Sequence, residues 1–241
     1  MPYQTLLSGL YPPSPRLGLI EGFFGKGWSW EARARYAQWL PRHGYGFYLY
    51  APKEDGYLRK HWAEPWPKEQ LAHLSQLAQQ CRENGLAFGV GLSPMGAHHD
   101  YAHKRPALLE KVRLIEEALK PDILAVLFDD MKGDTPDLAH WQLTIAHDIA
   151  AHTGASRLIF CPSYYSTDPV LEKVFGAMPP HYLTDLGQGL DKRFDIFWTG
   201  PRVCSTEYPA AHLKQAADWL HRKPFLWDNY PVNDGSKASS F

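Results

Sequence analysis

The chain has 241 residues, of which 44% are hydrophobic and 21% charged, with 25 Lys+Arg against 26 Asp+Glu. That apolar share excludes intrinsic disorder, and a formal charge of -1 argues against a dedicated nucleic-acid binder, which carries a basic excess. No apolar run approaches the roughly 18 residues of a membrane span. The N-terminal MPYQTLLSGLYPP has neither the basic lead nor the apolar core of a secretion signal. Cys81, Cys161 and Cys204 are too few, and odd in number, for a disulfide framework; they suit a reducing, cytoplasmic setting.

Seven short apolar runs follow in order: LGLIEG (17–22), GFYLYAPK (46–53), LAFGVGLSP (86–94), ILAVLFDD (123–130), RLIFCPSYY (157–165), FDIFWTGP (194–201) and PFLWDNYP (224–231). Their ends recur every 30–41 residues. A strand plus a crossover helix needs about 30 residues or more, so this is the spacing of βαβ units. The runs are apolar nearly throughout, as parallel strands covered on both faces are. Helical stripes lie between them. Leu71, Leu74, Leu77, Ala78 and Cys81 mark a helix over Lys68–Glu83, stopped by Asn84-Gly85. Leu108, Val112, Ile115 and Leu119 mark one over Ala107–Leu119, before Pro121, and two more are read at Leu138–His152 and Ala210–His221.

An open doubly wound sheet and a (β/α) barrel both fit this order, and both gather function at the C-terminal strand ends. Glu21, Lys53, Ser93, Asp129, Asp130, Tyr164, Tyr165, Thr199, Asp228 and Asn229 all stand there. Groups contributed by nearly every strand converge more easily in a closed barrel, and the expectation is a TIM-type (β/α)8 barrel whose eighth unit is missing or truncated. No internal linker divides the chain. Residues 1–15 form a lead-in segment and 16–241 the barrel domain.

Several motifs admit a structural and a functional reading. Gly22, Gly25 and Gly27 in EGFFGKGW follow a strand, but the order G-x-x-G-x-G is not the dinucleotide fingerprint. A tight turn letting backbone approach a ligand fits better. His98, His99, Asp100 and His103 have metal-ligand residue types without a second cluster, so no metal is expected. In Phe128-Asp129-Asp130 two carboxylates leave a strongly apolar strand. Both cannot ionise cheaply, so one holds a proton near neutral pH, as a general acid must; a helix cap or a loop salt bridge is the structural alternative. The hydroxyls of Tyr164 and Tyr165 need partners, which makes a core role odd. Asp228, Asn229, Asn233 and Asp234 in WDNYPVND are either hydroxyl-binding groups or turn formers. Nine Trp and 13 Tyr complete the picture of a pocket for a ligand with apolar ring faces and hydroxyl edges, such as a sugar.

Six strings, LIEGFFGKGWSWEAR, YLYAPKEDGYLRKHW, LFDD, FCPSYY, FWTGPRVCSTE and LWDNYPVND, together resemble glycoside hydrolase family 84, the β-N-acetylglucosaminidase (O-GlcNAcase) domain, over about residues 17–234. The resemblance implies a (β/α)8 barrel and retaining hydrolysis in which the substrate's 2-acetamido oxygen is the nucleophile, forming an oxazoline. It assigns Asp129 to orienting the acetamido N–H and Asp130 to general acid/base work. Tyr165 steadies the oxazoline. Gly22 (by its carbonyl), Lys53, Thr199, Val203, Trp227, Asn229 and Asp234 bind the sugar, with no cofactor. The implied partner is a GlcNAc-bearing glycan or glycoprotein, with neither nucleic acid nor membrane. A hyaluronan-type polymer is a weaker reading.

Two departures stand out. Ser163 and Tyr164 replace the family's Thr and Glu beside Tyr165. Family members also continue past WDNYPVND into an eighth βα unit with a further sugar-binding Asn, whereas Phe241 follows soon after the seventh strand here. That shortfall raises the alternative of a non-catalytic GlcNAc-binding module or an inactive remnant. It also raises pairing into a homo-oligomer across an unclosed edge.

Overall fold

The computed structural model describes residues 17–133 and 135–229. Seven strands form one parallel sheet in chain order: β1 (Gly18–Glu21), β2 (Phe47–Tyr50), β3 (Ala87–Leu92), β4 (Ile123–Leu127), β5 (Arg157–Cys161), β6 (Phe194–Trp198) and β7 (Phe225–Leu226). Each lies within one of the seven apolar runs. The helices between them are α1 (Trp30–Arg42), α2 (Lys68–Glu83), α3 (Tyr101–Leu119), α4 (Leu138–His152), α5 (Val170–Phe175), α6 (Tyr182–Gly189) and α7 (Ala210–Leu220), with a 3₁₀ turn at Gly56–Leu58.

The sheet is curled. Laid flat, five spacings of about 4.8 Å would separate β2 from β7 by roughly 24 Å. Instead the Phe47 ring of β2 lies 6.2 Å from Phe225 of β7, and the Arg157 guanidinium sits 5.4 Å from the first ring and 4.5 Å from the second. Among the described residues β1 and β7 exchange no ladder bonds, so the curl is a half-barrel with two free edges.

Alternation along the strands builds two cores. Phe47, Leu49, Ile123, Ala125, Leu127, Ile159, Cys161 and Phe197 fill the concave side. Tyr48, Tyr50, Leu124, Val126, Phe128, Phe160, Ile196 and Trp198 face outward into the helix layer. Space on the concave side is tight: a Cβ at Gly91 would stand 2.7 Å from both Ala51 and Leu127.

Two helices match their reading residue for residue, α2 and α4, because their apolar stripes are unbroken. Helix α3 begins six residues earlier than expected and carries Pro106 inside it. A proline there costs one backbone bond, which the packing of Tyr101 and Leu108 in the core offsets. Helix α1 was not read, although Ser29 caps it by accepting from the Ala32 amide at 3.2 Å, with Glu31 in the first turn. No helix among the described residues is long and apolar enough to cross a membrane.

Candidate active site

Ladder-like bonds continue beyond the strands and carry the loops to one place. Lys53 N–H donates to Phe23 O at 3.3 Å, Phe128 N–H to Cys161 O at 2.9 Å, Thr199 N–H to Tyr165 O at 3.0 Å and Trp227 N–H to Trp198 O at 3.0 Å. The result is a cleft at the C-terminal strand ends. Gly22, Phe24, Lys53, Asp129, Asp130, Tyr165, Thr199, Val203, Trp227 and Asn229 line it. All the site residues that the family resemblance assigns are therefore together except Asp234, which lies outside the described residues, as does Asn233.

The two carboxylates are held by cations. Lys53 Nζ donates to Asp129 Oδ2 and lies 2.7 Å from Asp130 Oδ2, and Arg59 Nη2 reaches Asp130 Oδ2 at 3.0 Å. Burial pushes the Asp130 carboxyl above its ordinary range, the Asp129 charge adds to this, and Lys53 and Arg59 oppose it. For Lys53, burial alone would favour the neutral amine. Asp129 and Asp130 outweigh it, so the ammonium is held above its usual value. Asp129 is 6% exposed and its Oδ1 is buried with no hydrogen-bond partner. An acceptor in that state costs roughly 1–3 kcal/mol.

The other lining groups are fixed from behind. Thr199 Oγ1 donates to Arg202 O at 2.8 Å, Val203 N–H to Asp168 Oδ2 at 3.1 Å, and Asn229 Nδ2 to Val203 O at 3.3 Å. The Trp227 ring packs 5.0 Å from Phe197. Gly22 makes this approach feasible, since a Cβ there would lie 2.9 Å from Trp227 Cζ2. The Tyr165 hydroxyl is held in its neutral form, chiefly by burial and then by the Asp129 charge.

Four strand-end residues are not in the cleft. Ser93 is buried, its N–H donating to Leu58 O at 2.8 Å. Glu21 faces the helix layer, where Arg33 pairs with it at 2.7 Å and the Tyr48 hydroxyl donates to it. Tyr164 does have a core role, contrary to expectation, because its hydroxyl donates to Gly176 O at 2.7 Å and so can be buried. Asp228 accepts from the Tyr208 hydroxyl at 3.2 Å. Conversely, the reading of the sequence assigned no role to Arg59 or Phe24. Both stand inside quoted motifs, but neither is at the end of a strand. As for metals, no group of three or more His, Cys, Asp or Glu among the described residues could hold an ion.

The family model described as beta-N-acetylglucosaminidase matches residues 17–240. The chain belongs to this family. It is 30% identical to the Protein O-GlcNAcase of Rattus norvegicus and to that of Mus musculus over 234 residues, 93% of this chain and 25% of each relative. A mutant O-GlcNAc hydrolase of Thermobaculum terrenum superposes with a TM-score of 0.78 at 32% identity, covering 91% of this chain and 48% of that one. CpGH84B superposes with 0.79 at 26% identity, covering 91% and 40%. The chain thus spans a quarter of the curated relatives it matches and under half of these solved chains.

Proposed function

We propose that the chain carries the catalytic cleft of a retaining β-N-acetylglucosaminidase that removes terminal β-linked GlcNAc through an oxazoline, and that its seven strands are the larger part of a (β/α)8 barrel. The observation that carries this reading is the orphaned Asp129 Oδ1. A buried acceptor beside a half-buried carboxyl calls for a ligand N–H, and the 2-acetamido group of GlcNAc supplies one. Accepting it would orient the acetamido oxygen toward the anomeric carbon, a gain in proximity rather than in binding alone.

Asp130 then has the complementary task. Its raised pKa favours the protonated form needed to deliver a proton to the leaving oxygen, after which the carboxylate draws one from the attacking water. Tyr165, neutral and at the cleft wall, donates to the acetamido oxygen as it becomes the oxazoline oxygen. Gly22 O, Lys53, Thr199, Val203, Trp227 and Asn229 bind the ring, and Asp234 is assigned to the same task. Among the described residues the cleft encloses about 70 Å³, well below the roughly 300–1,000 Å³ of ligand sites in general. On this reading Lys53 leaves the carboxylates for a sugar hydroxyl as substrate enters.

The test is hydrolysis of aryl β-GlcNAc substrates. Asp130→Asn should lower turnover of poor leaving groups by about 10²–10⁴-fold, the usual worth of general acid catalysis. Asp129→Asn should lower turnover of all of them. Unchanged rates in both variants would sink the assignment. Among the described residues β1 and β7 do not pair with each other, which favours a second reading, a GlcNAc-binding module without turnover; calorimetry with GlcNAc and an oxazoline mimic, alongside the same assay, separates the two.

A further inference from the structure

Arg59 is 8% exposed and sits between two loops of the cleft. Its Nη1 donates to the backbone carbonyl of Lys53 at 2.7 Å and its Nη2 to Asp130 Oδ2 at 3.0 Å. One rigid fork therefore ties the loop after β2 to the carboxylate after β4, across 71 residues of chain. The Phe24 ring covers both cations, 5.2 Å from the Arg59 guanidinium and 5.9 Å from Lys53 Nζ. Arg59 Nε makes no hydrogen bond, so two bonds to these loops account for the guanidinium's placement.

The two cations on Asp130 differ in kind. Lys53 is a point charge on a flexible stem and is shared with Asp129, so a sugar hydroxyl can draw it away. The planar Arg59 fork is anchored by the Lys53 carbonyl and stays. We propose that Arg59 is a positioning residue, which holds Asp130 in place through the catalytic cycle and sets how readily that carboxyl gives up its proton. This rests on Asp130 being the general acid. The charged and titratable groups around it are Asp129 on its own strand end, Lys53 and Arg59 from the loop after β2, and Cys161 and Tyr165 from β5 and its loop. Of these only Lys53 and Arg59 oppose protonation, and on the proposed cycle only Arg59 remains when substrate is bound.

The test compares wild type with Arg59→Met and Arg59→Lys by the pH profile of kcat/KM on a poor-leaving-group aryl β-GlcNAc, whose alkaline limb reports the acid. Losing an opposite charge at this distance should move that limb up by about one pH unit or more in Arg59→Met. Turnover should fall more for poor than for activated leaving groups. Arg59→Lys should return most of the limb without restoring kcat, since one ammonium cannot hold both loops. An unmoved limb, or an equal loss for all leaving groups, overturns the proposal. Should Arg59→Met melt below assay temperature, Arg59→Gln takes its place. Carboxyl ¹³C titration of Asp130 in the same proteins needs no turnover and should show the same upward move; an unmoved titration overturns the proposal even in an inactive chain. Should Asp130→Asn leave poor leaving groups unaffected, the general-acid reading fails by a separate result.

Discussion

Lys53 Nζ stands 2.7 Å from Asp130 Oδ2 while also taking Asp129 Oδ2, so one buried ammonium bridges two adjacent carboxylates. Stated alone, the Asp129-Asp130 pair is a like-charge conflict at the end of an apolar strand. With Lys53 between them, and Arg59 beside Asp130, two anions face two cations and the site can be buried.

Lys53→Met should therefore destabilise the fold as well as the site. Removing one member of a buried ion cluster costs about 3–5 kcal/mol. The sign of the pH dependence follows from Asp130. Its folded pKa is raised above 3.8, so stability falls as pH climbs from 3.8 through the folded value. Without Lys53 that fall is larger. Urea denaturation of wild type and variant at pH 4 and pH 7 should show the deficit shrinking at the lower pH; a deficit equal at both would contradict the bridging role.

A second buried lysine predicts a trend of the opposite sign. Lys111 on α3 lies over the Trp66 ring at 3.8 Å and donates to Glu64 O at 2.9 Å. Burial lowers its pKa from 10.5 to about 8, with Asp55 and Glu64 opposing. The folded state then sheds this proton before the unfolded state does, so stability gains up to roughly 3 kcal/mol as pH rises from about 8 to 10.5. Lys111→Met should flatten that rise in thermal melts taken across the same interval.

Gly22 and Trp227 form a contact in which the glycine is the smaller partner by necessity. The Cβ of Gly22→Ala would stand 2.9 Å from Trp227 Cζ2 and 3.2 Å from Ile20 Cγ1. The indole must move outward, costing about 1–3 kcal/mol and displacing one wall of the cleft. The expected readings are a shifted Trp emission maximum, a lower Tm and weaker GlcNAc binding. An unperturbed melt and unchanged affinity would show that the indole has room to give.

Behind the carboxylates lies a buried polar chain. Tyr182 Oη donates to Gln142 Oε1 at 2.5 Å, Gln142 Nε2 to Ser163 Oγ at 2.9 Å, and Ser163 Oγ to Phe128 O at 2.9 Å. Ser163→Ala leaves the Gln142 amide without its acceptor, for about 1–3 kcal/mol, and leaves the Phe128 carbonyl held by the Met131 N–H alone. Because Phe128 precedes Asp129, turnover should fall along with stability. Loss of Tm with full activity would place the network outside the site.

Much of this was legible in one dimension for reasons that can be named. Buried parallel strands are continuous apolar runs, so ILAVL and RLIFC announce β4 and β5 without help from anything distant. Helix α2 is bracketed by Pro67 and Asn84-Gly85 and keeps its stripe. Where the reading failed, the deciding interaction came from elsewhere. Position at a strand end suggested the cleft for Glu21, but Arg33 and Tyr48 draw it to the opposite face. The Tyr164 hydroxyl looked unburiable until Gly176 O supplied an acceptor.

The sequence by itself determined the alternation of strands and helices, the place of Asp129 and Asp130 at the tip of β4, and the family, because these depend on local periodicity and on residues adjacent in the chain. Length alone suited a barrel of about 250 residues. Only the tertiary structure decided that the described strands form a half-barrel in which β1 and β7 do not pair with each other. It likewise decided that Lys53 and Arg59 clamp the carboxylates and that one acceptor of Asp129 is left waiting. Those outcomes depend on the curl of the sheet, which brings together groups separated by more than seventy residues, and no local pattern encodes how far a sheet will curl.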